Sequence, residues 1–226
     1  DPGIDNLAAV VNNFGVHPFL IKGGAVKAAN QWFNKKRASL LSAVTTGSDS
    51  RHSIKNSHSL YALSRKRDDL FRDIFYRAAW YICRFAVKHH ADVIVIGHNK
   101  DQKQEIRLGK QNNQSFVSIP FVRFEQILTN TAAKCEIPVI VQEESYTSKA
   151  SVLDGDDIPT YGIEDDHVHF SGKRIKRGLY RCADGTFLNA DVNGAANVIC
   201  KKYPDAFERQ NLQYLWETTD VVKFTD

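Results

Sequence analysis

The chain has 226 residues, 42% hydrophobic and 25% charged, which is enough apolar material for a buried core and excludes a disordered or fibrous protein. Its formal charge of +4 is mildly basic, no apolar run approaches the roughly 18 residues of a membrane-spanning helix, and Asp1-Pro-Gly-Ile-Asp5 lacks the basic and apolar regions of a secretion signal. Cys83, Cys135, Cys182 and Cys200 form no Cys-x-x-Cys pair, which argues against a zinc finger or disulfide scaffold and predicts a reducing, cytoplasmic setting. The lack of any Met leads us to expect a piece of a longer chain.

In chain order, Leu7-Ala-Ala-Val-Val11 and His17-Pro-Phe-Leu-Ile21 flank Asn12-Asn13-Phe14-Gly15, a hairpin signal. Residues 25–44 read as a helix polar on one side, followed by a Thr/Gly/Ser loop over 45–50. From His58 to His90, Leu63, Leu70, Ile74, Ala78, Ile82 and Phe85 recur at helical intervals and predict a long amphipathic helix. Ala91-Asp-Val-Ile-Val-Ile-Gly97 predicts a short buried strand, and the Gln/Asn/Lys-rich stretch 102–118 an exposed loop. Pro120 opens a helix with Phe121, Phe124, Ile127, Leu128 and Ala132 on one side, and Ile137-Pro-Val-Ile-Val141 is a second buried strand. Strand, helix and strand at this spacing predict a right-handed βαβ crossover and an α/β fold. The pattern breaks beyond residue 150 in an Asp/Gly-rich and then strongly basic stretch. Three regions follow: a core over 1–150, an insertion over 151–187, and a segment over 188–226 that completes the core with a helix from Asp191. The tail from Glu208 reads as a helix and a loose end.

Asp1, Glu143, Glu144 and Asp191 each sit where a core element begins or ends. Carboxylates gathered at strand ends repel one another unless a cation holds them, and two divalent ions on Asp and Glu oxygens are the chemistry of phosphodiester hydrolysis. On spacing alone the plainer reading carries more weight: Asp191 as a helix N-cap, Glu143 and Glu144 as solvated charges, Asp1 as a terminal residue.

The words around these acids are Asp1-Pro-Gly-Ile-Asp-Asn-Leu-Ala8, Glu144-Ser-Tyr-Thr-Ser-Lys149 and Asp191-Val-Asn-Gly-Ala-Ala-Asn-Val198. In that order around a βαβ core, they resemble the signature of the RuvC-like nuclease domain of the TnpB family, transposon-encoded proteins related to type V CRISPR effectors. The resemblance runs over nearly the whole chain. It implies an RNase H-like mixed sheet flanked by helices, with an inserted basic subdomain. It also implies RNA-guided cleavage of DNA on magnesium, and guide RNA and target DNA as partners; manganese is an open alternative to magnesium, because both accept the same oxygen ligands. Carried over by motif, the first metal ligand is Asp1 and the third Asp191. The middle one departs, because relatives carry a glutamate at the end of the strand where this chain has Gly97. The next strand supplies Glu144, with Glu143 as the alternative, since side-chain alternation lets only one face the other acids.

No structural zinc is expected. The places of the relatives' first cysteine pair hold Ser151 and Asp154, and only Cys182 remains near the second. Lys173, Arg174, Lys176, Arg177 and Arg181, with Tyr180 interleaved, and Lys149 are expected to meet nucleic-acid phosphates. On the long helix, Arg65, Lys66, Arg67, Arg72, Arg77 and Arg84 read either as partners of Asp68, Asp69 and Asp73 or as contacts to a duplex. Trp80, Tyr81 and Phe85 read as core, and His98 and Asn99 as residues beside the site. Two rival readings stand: a guided DNA-binding protein without cleavage, and a guide-independent nuclease acting on branched DNA.

Overall fold

The computed structural model describes residues 2–3, 5–45, 58–98, 119–160, 162, 168–208 and 210–224. The expected hairpin is β1 (Asn6–Val10) and β2 (Phe19–Lys22), antiparallel, with Asn6 opposite Lys22 and Val10 opposite Phe19. Asn12 ties the connection: its Oδ1 accepts the amides of Phe14 and Val16, and its Nδ2 donates to the Val16 carbonyl at 2.8 Å. Among the described residues the tail is not loose. Beyond the short helix α5 (Tyr214–Glu217), β8 (Asp220–Val222) joins β2 in parallel.

Three helices cover one face of this sheet: α1 (Gly24–Thr45), α2 (His58–Lys88) and α3 (Phe121–Ala133). The buried stripe of α2 runs through Phe71, Ile74, Phe75, Ala78, Ile82 and Ala86, the three- and four-residue spacing of one helical face. Leu70, expected in that stripe, is 39% exposed because Phe71 and Phe75 take the inward positions. Trp80 and Tyr81, read as core, are 56% and 37% exposed, whereas Phe85 packs edge-on against Phe19 with ring centroids 5.0 Å apart.

The crossover pair is β3 (Ile94–His98) and β4 (Val139–Glu143), joined in parallel from Ile94 opposite Val139 to His98 opposite Glu143. Only Ile96 and Gly97 of the two are buried, and Val141 is 55% exposed, so these are half-covered strands rather than the buried ones expected. The loops expected over 102–118 and 46–50 lie outside the described residues. A groove of about 830 Å³ separates β1 from β3, walled by Ala8, Val10, Phe85, Ile94, Ile96 and Ile199. At its rim Pro2 forms an antiparallel bridge to Ala8.

The basic stretch is a small sheet of β5 (Lys173–Lys176), β6 (Leu179–Arg181) and β7 (Phe187–Leu188), leading into α4 (Ala190–Lys202). Leu7, Phe19 and Ile21 face the α2 side, while Ala9 and Leu20 join Val152, Tyr180, Cys182, Leu188 and Val192 in a second core on the α4 side. The hairpin is thus the middle layer between two helical layers.

One polar row on α4 fastens the segment after β4. The buried Asn193 donates to the Ala150 carbonyl at 2.7 Å and accepts the Val152 amide at 3.1 Å. One turn on, the equally buried Asn197 donates to the carbonyls of Thr147 and Ala150. Four residues further, Lys201 reaches Glu143, Ser145 and the Pro159 carbonyl. Residues four apart lie on one helix face, so the spacing Asn193, Asn197, Lys201 builds a continuous clamp. Each Asn→Ala truncation strips buried backbone groups of their partners and is expected to cost about 1–3 kcal/mol, read as a lower urea midpoint with unchanged slope.

Candidate nucleic-acid cleavage site

Asp191 lies in the first turn of α4. The helix is capped not by Asp191 but by Asn189, whose side chain accepts the amides of Asp191 and Val192 at 2.9 and 3.3 Å. The Asp191 carboxylate is therefore turned outward from the helix start, where the macrodipole favours negative charge. Its Oδ2 accepts from Asn6 Nδ2 at 2.6 Å, and Asn6 Oδ1 accepts from Lys22 Nζ at 2.8 Å. Its Oδ1 faces the Arg174 guanidinium at 3.5 Å. Alongside, Asp5 is held between Lys27 and Arg177. Burial first, and then the nearby Arg177 guanidinium, lower the Lys27 pKa. Gly178, at φ 74°, makes the tight turn from β5 to β6, and its carbonyl accepts the Ala190 amide. The basic hairpin is thereby bound to the start of α4. These groups enclose a cleft of about 380 Å³, lined among the described charged residues by Lys22, Arg174, Arg177, Asp5 and Asp191.

The two glutamates at the end of β4 are set apart by their partners. Glu143 is bonded by Lys201 Nζ at 2.6 Å and by the Ser145 hydroxyl at 2.9 Å, and it also accepts the Ser145 amide. The Lys201 side chain is only 4% exposed, so Glu143 neutralises a buried cation. Burial opposes the Glu143 carboxylate, yet the hydrogen bonds from Lys201 and Ser145 outweigh it and hold its pKa below the ordinary 4.5. Glu144 turns the other way, over Gly97. A Cβ built on Gly97 would stand 2.6 Å from Glu144 Oε2 and 3.0 Å from Val198 Cγ2, so the carboxylate fills the space a side chain at 97 would occupy.

Asp191 and Glu144 do not share the cleft. Glu144 is absent from its walls, and Val198, its neighbour, lies seven residues along α4 from Asp191, about 10 Å of helix axis. Asp1 lies outside the described residues; its neighbour Pro2 lines both the cleft and the groove. Among the described residues no three His, Cys, Asp or Glu side chains converge on one point. Taken singly, Asp191 and Glu144 each offer the carboxylate oxygen that a hard divalent cation takes, and the Asp191 Oδ1 atom already faces a cationic group, Arg174.

Lys173, Arg174, Lys176, Arg177 and Arg181 are all exposed on the β5–β6 hairpin. Lys149 is exposed 5.3 Å over the Tyr146 ring. On α2, Arg72 pairs with Asp69 and Arg77 with Asp73, while Arg84 lies over Trp80 and Arg67 over Phe33 and Phe71. His98 alternates with Gly97 and pairs with Glu125 on α3 at 3.1 Å, on the opposite side from Glu144. Asn99 is outside the described residues. Ser151, Asp154 and Cys182 do meet: the Ser151 hydroxyl donates to Cys182 Sγ at 3.5 Å and accepts the Asp154 amide at 3.4 Å, and Asp154 accepts the Ala183 amide at 3.0 Å.

Sequence reasoning missed Asn6, Lys22 and Lys201. The only available signal was the four-residue step from Asn193 to Asn197 to Lys201, because the pairing of Asn6 with Lys22 exists only in the strand register. Two measurements follow. Gly97→Ala is expected to push the Glu144 side chain aside while leaving the fold intact, seen as shifted Glu144 resonances with little change in melting temperature. For Glu143, the folded value lies below the unfolded one, so its contribution is complete above the ordinary 4.5 and is lost as pH falls through the folded value. The stability difference between the parent and Glu143→Gln is therefore expected to be large at neutral pH and to shrink on acidification.

A model of the Cas12f1-like TNB domain matches residues 121–198. No protein with a curated description matches the chain. Among solved structures, the chain is similar to one in the "Cryo-EM structure of the Cas12f1-sgRNA-target DNA complex", with TM-score 0.58 and 15% identity over 87% of this chain and 47% of that one. It thus spans about half the length of that solved chain. Residues 121–198 are Cas12f1-like in sequence, and over 87% of its length the chain has a mixed α/β fold similar to that of the Cas12f1 chain.

Proposed function

We propose that this chain is the RuvC-like nuclease domain of a TnpB-family, transposon-associated, RNA-guided DNA endonuclease, with Asp1, Glu144 and Asp191 as its metal ligands. The observation that carries this reading is the Glu144 carboxylate lodged over Gly97. Where relatives place a glutamate on the strand after the long helix, this chain has no side chain and the next strand delivers a carboxylate to the same space. An RNase H-like sheet is supported by the groove between β1 and β3. Among the described strands each of the two is paired on its far side, β1 with β2 and β3 with β4, and the Pro2–Ala8 bridge begins a further rung on β1. The proposed boundaries are a core over 1–150, an insertion over 151–187 and a completing segment over 188–226.

Magnesium, or manganese in its place, would supply an activated water and stabilise the leaving oxygen of the phosphodiester. Asp191 and Glu144, with Asp1, would hold it. Lys22, Arg174 and Arg177 line the cleft and would draw a phosphate to it, while Lys149, Lys173, Lys176 and Arg181 would track the strand. The insertion needs no zinc in this reading, because Ser151, Asp154 and Cys182 tie its two turns by hydrogen bonds. Guide RNA and target DNA are the proposed partners, in line with the similar solved structure, which contains Cas12f1 with an sgRNA and target DNA. A cytoplasmic location completes the reading.

A second reading, guided DNA binding without cleavage, is favoured by one observation: Glu144 does not line the Asp191 cleft. Incubating the protein with guide RNA, target DNA and magnesium separates the two. Cleavage is expected, with Asp191→Asn and Glu144→Gln each losing more than the roughly 10–100-fold typical of an outer partner. Glu143→Gln is expected to cut while melting earlier. DNA binding without cutting by the unsubstituted protein would establish the second reading instead.

A further inference from the structure

Asn6 is a buried polar residue, 8% exposed, at the start of β1, and its partner across the hairpin is Lys22 at the end of β2. The two make a relay. Lys22 Nζ donates to Asn6 Oδ1 at 2.8 Å, which fixes the amide plane and turns Nδ2 toward α4, where it donates to Asp191 Oδ2 at 2.6 Å. The amide cannot flip without placing its NH2 against the Lys22 ammonium and its oxygen against the carboxylate, so the relay has one orientation. The other carboxylate oxygen, Oδ1, is left toward the cleft and Arg174. A carboxylate pinned by one oxygen presents the second with little rotational freedom, which is what a metal ligand requires of its supporting partner.

We infer that Asn6 is a positioning residue for Asp191, anchored by Lys22, and that it sets the affinity of the cleft for a divalent cation. The inference rests on the reading of Asp191 as a metal ligand. It also gives Arg174 the opposite part: its guanidinium faces the same Oδ1 atom and competes with a metal for it.

Binding of Mn2+ alone to the chain, followed by electron paramagnetic resonance of the free ion, tests this without any cleavage assay. Asn6→Ala is expected to weaken Mn2+ binding about 10–100-fold. Lys22→Met acts in the same direction by less, and Arg174→Ala acts in the opposite direction and tightens binding. Melting curves with and without Mn2+ separate this from simple destabilisation: a structural role lowers both curves equally, whereas a positioning role shrinks the gap between them. Asp191→Asn separates the two levels of argument. If it leaves Mn2+ affinity unchanged, Asp191 is no ligand and the inference falls with that reading. If it abolishes binding while Asn6→Ala does not alter it, the inference alone is overturned.

Discussion

The architecture of the site depends on the grip of α4 on the chain that leaves β4. Asn193 and Asn197 spend their amides on the backbone of residues 147–152, and Lys201 gathers Glu143, Ser145 and Pro159. These are interior bonds, where an unpaired partner is costly, so they define one seating of the segment rather than several. Because Lys201 claims Glu143, strand alternation delivers Glu144 to the opposite side, over Gly97. Because Asn189 takes over capping, the same helix presents Asp191 at its other end. One helix therefore governs both acids without either serving as its cap.

Charge in the cleft is arranged as a competition. Two carboxylates are each engaged by guanidinium groups from a hairpin that is otherwise exposed, and a lysine on β2 reaches the same neighbourhood through Asn6. Such exposed ion pairs are individually weak and are screened by salt, so the hairpin is held to the site by contacts that a phosphate or a divalent ion can replace. What fixes its root is the backbone bond from Ala190 to Gly178 and the buried Tyr180, whose hydroxyl donates to the Lys149 carbonyl at 2.6 Å.

Much of the framework was legible in the residues. The helix from His58, the hairpin around Asn12 and the crossover pair follow from periodicity and turn chemistry, which act locally. What the chain did not disclose is relational. Phe71 rather than Leu70 faces inward, against Phe75 of the same helix, which in turn meets Phe124 of α3, and among the described residues Val141 of β4 stays 55% exposed. The end of the chain returns to a sheet because β2 has an open side there. At the candidate site, the motifs singled out the acids that the proposal uses. The relay through Asn6 and Lys22 and the different partners of Glu143 and Glu144 were not legible, since they depend on residues 16 to 185 positions away.

The fit of Glu144 into the hollow at Gly97 binds the histories of two positions together. A β-carbon at 97 collides with the carboxylate and moves it, and a shorter residue at 144 leaves the hollow empty, so each single change displaces or removes the acid there. Related chains should accordingly fall into two camps, with an acid on the first strand and something small at the later position, or the reverse, and few intermediates between them.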